Sequence, residues 1–172
     1  MACALAGVAL AGCGGGKVSA EEYAVDVCRA GARWIEGIQS RTTSLREVLA
    51  PGTTPQEGQR VLRDYLDGVL ALTEDALAAL EEAGTPDVPD GGEFAKTLIS
   101  AMKTARGALE DASDEVSALP TDDPEAFGEG AQHIAATVNA ALSEAGRPIG
   151  EAQTPELRQA FSEEPTCRRL SQ

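Results

Sequence analysis

The chain has few of the side chains that most enzymes use for chemistry. It contains one histidine, three lysines and six aromatic residues in a length of 172 residues. Because histidine is the side chain most often used for acid–base catalysis, an active site here would depend on His133. The sequence has no Gly-x-Ser-x-Gly nucleophile turn and no glycine-rich phosphate loop that follows a predicted strand. We therefore expect a non-enzymatic protein with no catalytic residue and no cofactor.

The pattern of acidic residues and histidine also disfavours a metal site. A di-iron centre in a helical bundle needs two Glu-x-x-His pairs, but the chain has one histidine, and Glu129 lies four residues before it rather than three. A calcium loop needs alternating acidic residues before its glycine, and the segment 87–91 lacks them. We expect no metal ligand in this chain, and we place His133 on the surface.

Positive charge is scarce as well. The chain has 28 acidic and 14 basic residues and a net charge of −14. Nucleic acid phosphates and anionic lipid headgroups repel such a surface, so we exclude nucleic acid as a partner. Outside residues 2–11, no apolar run approaches the roughly 20 residues that a membrane-spanning helix needs.

Helix signals recur along the rest of the chain. Apolar residues repeat in steps of four and three, and capping residues precede each repeat. No segment alternates with a period of two, so we expect no β structure. The predicted helices run from Ser19 to about Leu49, from Thr54 to Gly84, from Asp90 to Pro120, from Asp123 to Gly146, and from Thr154 to about Ser162.

Four long helices joined by short connections are typical of a bundle. We predict an all-α fold, an up-down-up-down four-helix bundle with a short fifth C-terminal helix. Alanine is frequent in the apolar stripes, and small residues let helices approach closely. We therefore expect little room for a ligand cavity between the helices.

The N-terminus carries a targeting pattern. Leu10-Ala11-Gly12-Cys13 follows an apolar run and precedes three glycines. It resembles the lipobox of bacterial lipoproteins, and the resemblance implies that Cys13 is lipidated and becomes the mature N-terminus. No basic residue precedes the apolar run, whereas secretory signals begin with one, so we expect the natural signal to begin further upstream. The alternative is an apolar N-terminal tail or the first turns of a buried helix.

This interpretation divides the chain into three parts. Residues 1–12 form a removed signal peptide, residues 13–18 a lipidated flexible tether, and residues 19–172 a single helical domain. If Cys3 leaves with the signal and Cys13 is acylated, Cys28 and Cys167 remain. An even number of cysteines outside the cytoplasm favours a disulfide. The alternative is two unpaired buried thiols.

Several features together resemble one group of proteins. The lipobox, the Val27-Cys28 pair, the turn at residues 85–91 and the late Cys167 are similar to small secreted proteins and lipoproteins of actinobacteria. The resemblance implies an extracytoplasmic protein anchored through Cys13 to the outer face of the bacterial cell membrane. We expect it to act as an interaction or structural module with an envelope protein as partner. The alternative function is a small-ligand-binding envelope carrier.

Overall fold

The structure is a computed structural model that describes residues 16–48 and 52–170. The lipobox cysteine Cys13, the signal 1–12 and the predicted stop after the first helix at Pro51 lie outside the described residues. The described residues form six helices and one short pair of strands. The elements are β1 (Lys17–Val18), α1 (Ala20–Val48), α2 (Pro55–Glu82), β2 (Thr85–Pro86), α3 (Gly91–Ala118), α4 (Pro124–Ala152), α5 (Pro155–Glu163) and α6 (Pro165–Leu170).

The predicted all-α fold is confirmed, and so are most helix starts. Ser19 Oγ accepts a hydrogen bond from the Glu22 backbone N–H at 3.1 Å, and Glu22 accepts in return from the Ser19 backbone N–H at 3.2 Å. Thr54 and Glu57 form the same reciprocal capping box at the start of α2. Hydrogen bonds from the backbone N–H and then the hydroxyl of Thr54 hold the pKa of Glu57 below its usual value. Local sequence therefore decided where these helices begin.

The start of α3 differs from the prediction. Asp90 stands at the N-cap position, but its φ of 55° is left-handed, and its side chain makes no capping hydrogen bond. The Asp90 carbonyl accepts from the Glu93 and Phe94 N–H groups instead. A Cβ at Gly91 would overlap the Pro86 carbonyl oxygen, so glycine permits the tight turn that sets this geometry.

The end of α4 also differs. Gly146 and Pro148 were expected to end the helix, but α4 continues to Ala152. Proline removes one backbone donor from a helix interior. Ile149 and Ala152 pack against a buried cluster, and this tertiary contact offsets the local cost. After α5, the chain forms α6 (Pro165–Leu170), which the sequence analysis did not predict.

A short parallel strand pair joins the N-terminal segment to the turn before α3. Lys17 and Val18 pair with Thr85 and Pro86, and the Asp87 N–H donates to the Val18 carbonyl at 2.8 Å. These two strands are too short to produce a period-two pattern, so the expectation of no β structure was wrong at this point. Two residues of the predicted tether are thus held against the helical domain.

The long helices pack on one another in sequence order. α2 packs on α1 and on α3, and α3 packs on α4, while α5 and α6 pack on α1. The antiparallel course of α2 and α3 follows from two cross-contacts, Gln59 to the Val116 carbonyl and Lys103 to Glu81. α1 and α4 share no extensive contact. The space between these two helices is therefore open.

Two separate clusters form the core. The first, here called the aromatic cluster, contains Tyr23, Phe94 and Leu157, which are nearly inaccessible, with Phe161 partly buried beside them. The rings of Tyr23, Phe94 and Phe161 contact one another edge-on or tilted, with centroids 5.8 to 6.5 Å apart. Burial raises the pKa of the Tyr23 hydroxyl to about 12. The second, the aliphatic cluster, consists of Leu66, Val69, Leu109, Ala112, Val116 and Ile134.

Candidate functional site

An apolar groove lies beside the aliphatic cluster, where α1 and α4 fail to meet. Its volume is about 440 Å³, within the range of sites that hold small molecules. None of its lining residues is acidic, basic or histidine. They are Trp34, Ile38, Thr42 and Leu45 of α1, Leu62, Tyr65, Leu66 and Val69 of α2, Leu109 and Val116 of α3, and Ala131, Ile134, Ala135, Val138, Asn139 and Leu142 of α4.

The groove exists because apolar side chains of α1 lack a partner helix. Trp34, Ile38 and Leu45 face it and are only half-buried, although they belong to the apolar stripe of their helix. On the opposite side, α4 presents the small residues Ala131 and Ala135. Small side chains on one wall and an absent contact between the walls leave the space open. The expectation that alanine-rich stripes would close such a space was wrong.

Two hydrogen bonds fix the wall formed by α1 and α2. The Trp34 indole N–H donates to the Thr73 hydroxyl at 3.0 Å, and the Thr42 and Tyr65 hydroxyls lie 3.1 Å apart within hydrogen-bond distance. Thr42 lies eight positions after Trp34 on α1, and Tyr65 lies eight positions before Thr73 on α2. The two hydrogen bonds are therefore about 12 Å apart along the helices. The two bonds therefore set the antiparallel register of this wall.

Thr73 is the buried polar residue of this wall. It has no exposed surface, and its hydroxyl also donates to the Val69 carbonyl at 2.9 Å. Thr73→Val removes the acceptor of the indole N–H while nearly preserving shape. We expect the free energy of unfolding to fall by about 1 to 2 kcal/mol, because a part-buried donor loses its partner. Denaturant titration measures this loss, and Thr73→Ser, which keeps the hydroxyl, separates the hydrogen bond from the methyl packing.

The contact between α1 and α2 is also unusually close at two glycines. A Cβ at Gly68 would overlap the Arg41 guanidinium, and one at Gly37 would lie 2.7 Å from Leu72 side-chain atoms. Arg41 therefore lies against α2, where it lines an adjoining surface depression together with Asp64. This depression shares Leu45 and Tyr65 with the groove, but Arg41 itself is not in the groove lining.

The predicted cysteine pair is confirmed. Cys28 on α1 and Cys167 on α6 form a disulfide whose Cα atoms are 5.2 Å apart, a normal separation for such a bond. Cys28 is 1% exposed. The bond fastens the last described helix to the first, away from the groove lining. The lipidation site Cys13 lies outside the described residues and stays a prediction.

The single histidine and the arginines Arg29 and Arg33 of α1 lie at the protein surface. His133 is exposed on α4, as predicted. Arg29 forms an ion pair with Asp26 at 3.2 Å, and Arg33 lines a shallow polar depression beside them. Among residues 16–48 and 52–170, no group of three or more histidine, cysteine or acidic side chains is arranged to hold a metal ion.

Other depressions on the described surface differ from the groove in chemistry. One of about 530 Å³ between α3 and α4 has Lys96 and Glu144 in its lining, with serine, threonine and alanine side chains between them. The groove is distinguished by side chains from all four long helices and by its lack of charge. It is therefore the strongest candidate for a binding site.

Comparison with known proteins adds no relative. No protein-family model, no curated protein and no solved structure matches this chain. Within the part of the chain that the structure describes, no helix has the length and apolar character needed to cross a membrane. Function is therefore argued from the residues themselves.

Proposed function

We propose that this protein is an extracytoplasmic lipoprotein that acts by binding rather than by catalysis. In this proposal Cys13 carries the lipid and holds the domain on the outer face of a bacterial cell membrane. The observation that carries the location is the Cys28–Cys167 disulfide, because such bonds persist outside the cytoplasm and are rare within it. The lipobox-like sequence 10–13 supplies the means of attachment.

The proposed tether is short. Pairing of Lys17 and Val18 with β2 leaves only residues 13–16 between the lipid and the helical domain. Four residues span at most about 14 Å, so the end of the domain that carries β1 would lie close to the membrane. Trp34 lies fourteen positions into α1, about 20 Å further out along the helix. This length of helix would separate the groove from the point of attachment.

We further infer that the four long helices form an up-down-up-down bundle with one open seam. The contacts between successive helices support this arrangement, and the open seam is the groove. The volume of this groove, about 440 Å³, is within the range of small-molecule sites. The groove favours the second candidate function, a small-ligand-binding carrier of the envelope.

The attachment is tested by Cys13→Ala in the native host. We expect most of the protein to leave the membrane fraction and lose its lipid label, because a domain with a net charge of −14 has little affinity for anionic headgroups. Fractionation with immunoblotting and metabolic fatty acid labelling measure both effects.

Cys3→Ala is the matched control, since this cysteine is predicted to leave with the signal peptide. It should leave retention and labelling unchanged. Membrane retention of the Cys13→Ala protein at the wild-type level would contradict the proposed anchor.

A further inference from the structure

We propose that the groove binds a single-chain, uncharged lipid, with its alkyl chain lying along α1 and α4. This inference rests on the proposed binding function and specifies its ligand. The observations that carry it are the shape of the groove, the lack of charge in its lining and the position of its few polar groups.

The shape of the groove suits one extended chain. Its lining on α1 runs from Trp34 to Leu45, a distance of about 16 Å along the helix axis. The opposite wall on α4 runs from Ala131 to Leu142, over the same number of residues. A volume of about 440 Å³ lies toward the small end of ligand sites. A space of this length and volume holds one alkyl chain rather than a bulky multi-chain lipid.

The electrostatics of the groove disfavour a charged ligand. No charged side chain lines it, so a buried carboxylate or phosphate would lack a partner and would carry a large desolvation cost. The net charge of −14 adds a general repulsion of anions. Arg41 is not in the groove lining: its guanidinium lies against Gly68, in the adjoining depression that shares Leu45 and Tyr65 with the groove.

The polar groups of the lining suit a neutral headgroup. Thr42 and Tyr65 use one O–H between them, which leaves one O–H donor and free acceptor capacity on the pair. Asn139, on the exposed side of α4, adds an amide donor and acceptor. A hydroxyl, ester or amide headgroup can use these groups without introducing charge.

The binding experiment uses the full chain with Cys13→Ala, so that no detergent competes for the groove. The probes are octanol, dodecanol and hexadecanol, with hexadecanoate as the charged counterpart of the longest alcohol. Trp34, the sole tryptophan, lines the groove, so its emission reports occupancy, and the thermal midpoint should rise with bound ligand.

We expect affinity to rise about fourfold for each added methylene and to level off when the chain exceeds the groove. The carboxylate at neutral pH should bind at least about tenfold more weakly than the matched alcohol. Equal affinity for the two, or affinity independent of chain length, would overturn the inference.

Two adjacent alanines of α4 provide matched variants. Ala135 and Ala136 are both exposed, but only Ala135 lines the groove. Ala135→Phe should fill the groove and weaken alcohol binding more than about tenfold, whereas Ala136→Phe should bind normally. Circular dichroism of both variants checks that the helices are intact. Normal alcohol binding by Ala135→Phe would place the ligand elsewhere and overturn the proposed site.

The remaining outcomes separate the inference from the function on which it rests. If no alcohol binds but Ala135→Phe abolishes self-association in sedimentation or capture of a helical peptide, the groove binds protein, and the lipid inference fails while the binding function stands. If Ala135→Phe changes neither alcohol binding nor protein association, the ligand inference and the groove-based carrier function both fail. The Cys13→Ala fractionation tests the anchor independently of all these results.

Discussion

Breaking the bond between Cys28 and Cys167 should lower the free energy of unfolding by about 4 kcal/mol. The bond closes a loop of 139 residues, so it restricts nearly the whole unfolded domain. In the folded state it holds α6 against α1, where the Leu170 side chain lies beside Gly31. Cys28→Ala and Cys167→Ala each remove the bond, and denaturant titration under oxidising conditions measures the loss. Reduction of the wild-type protein should produce a similar loss.

The double variant is the control for this prediction. Because both single changes remove the same bond, Cys28→Ala with Cys167→Ala should cost about as much as either change alone. If the stability losses of the two single variants added up in the double variant, the two cysteines would contribute independently rather than as a disulfide. A loss below about 1 kcal/mol for a single variant would contradict the predicted stabilisation by the bond.

Phe94→Ala should lower the free energy of unfolding by about 3 to 5 kcal/mol. Phe94 is 2% exposed, and its ring contacts both Tyr23 and Phe161. Truncation therefore leaves a cavity at the centre of the aromatic cluster and removes two ring contacts that add to the lost burial. The cluster joins α1, α3 and α5, so the loss should appear as a cooperative decrease in global stability.

Phe127→Ala offers the matched comparison. Phe127 is half-buried near the start of α4 and lies outside both core clusters. We expect a loss of about 1 to 2 kcal/mol, because less apolar area leaves water there on folding. If the two variants lost equal stability, the aromatic cluster would not be the principal core that its burial indicates. Neither residue lines the groove, so ligand binding should survive both changes below the unfolding transition.

Local signals predicted the beginnings of most helices. Thr54, Asp123 and Thr154 cap their helices as expected. Each side chain accepts a hydrogen bond from a backbone N–H two or three residues later. These contacts involve residues two or three positions apart, so sequence order alone brings the groups together. The proline after each cap adds to the signal, because its missing N–H costs nothing at the first helical position.

The wrong predictions share a physical cause. Pro148 does not end α4, because packing of Ile149 against the aromatic cluster outweighs a local breaker signal. The Asp90 side chain does not cap α3, because the close approach of Gly91 to Pro86 sets the turn. At Pro148, packing on residues distant along the chain overrides the local preference; at Asp90, the tight turn between Pro86 and Gly91 does so.

The cysteine pair was predictable for a different reason. With Cys3 assigned to the predicted signal and Cys13 to the predicted lipid site, Cys28 and Cys167 were the two that remained, and compartment chemistry favoured their bond. The short helix that carries Cys167 was not predicted, since six residues give no apolar period to detect. The sequence therefore predicted the cysteine pair but not the helix α6 that places Cys167 beside α1.

The sequence by itself determined the all-α class, the capped starts of α1, α2 and α4, the disulfide partners and the acidic character of the protein. These depend on neighbouring residues, on composition or on a simple count. Only the tertiary structure decided that α1 and α4 stay apart and that Trp34, Ile38 and Leu45 line an open groove. An apolar stripe indicates that a helix face avoids water. It does not indicate which helix covers that face, or whether any helix covers it.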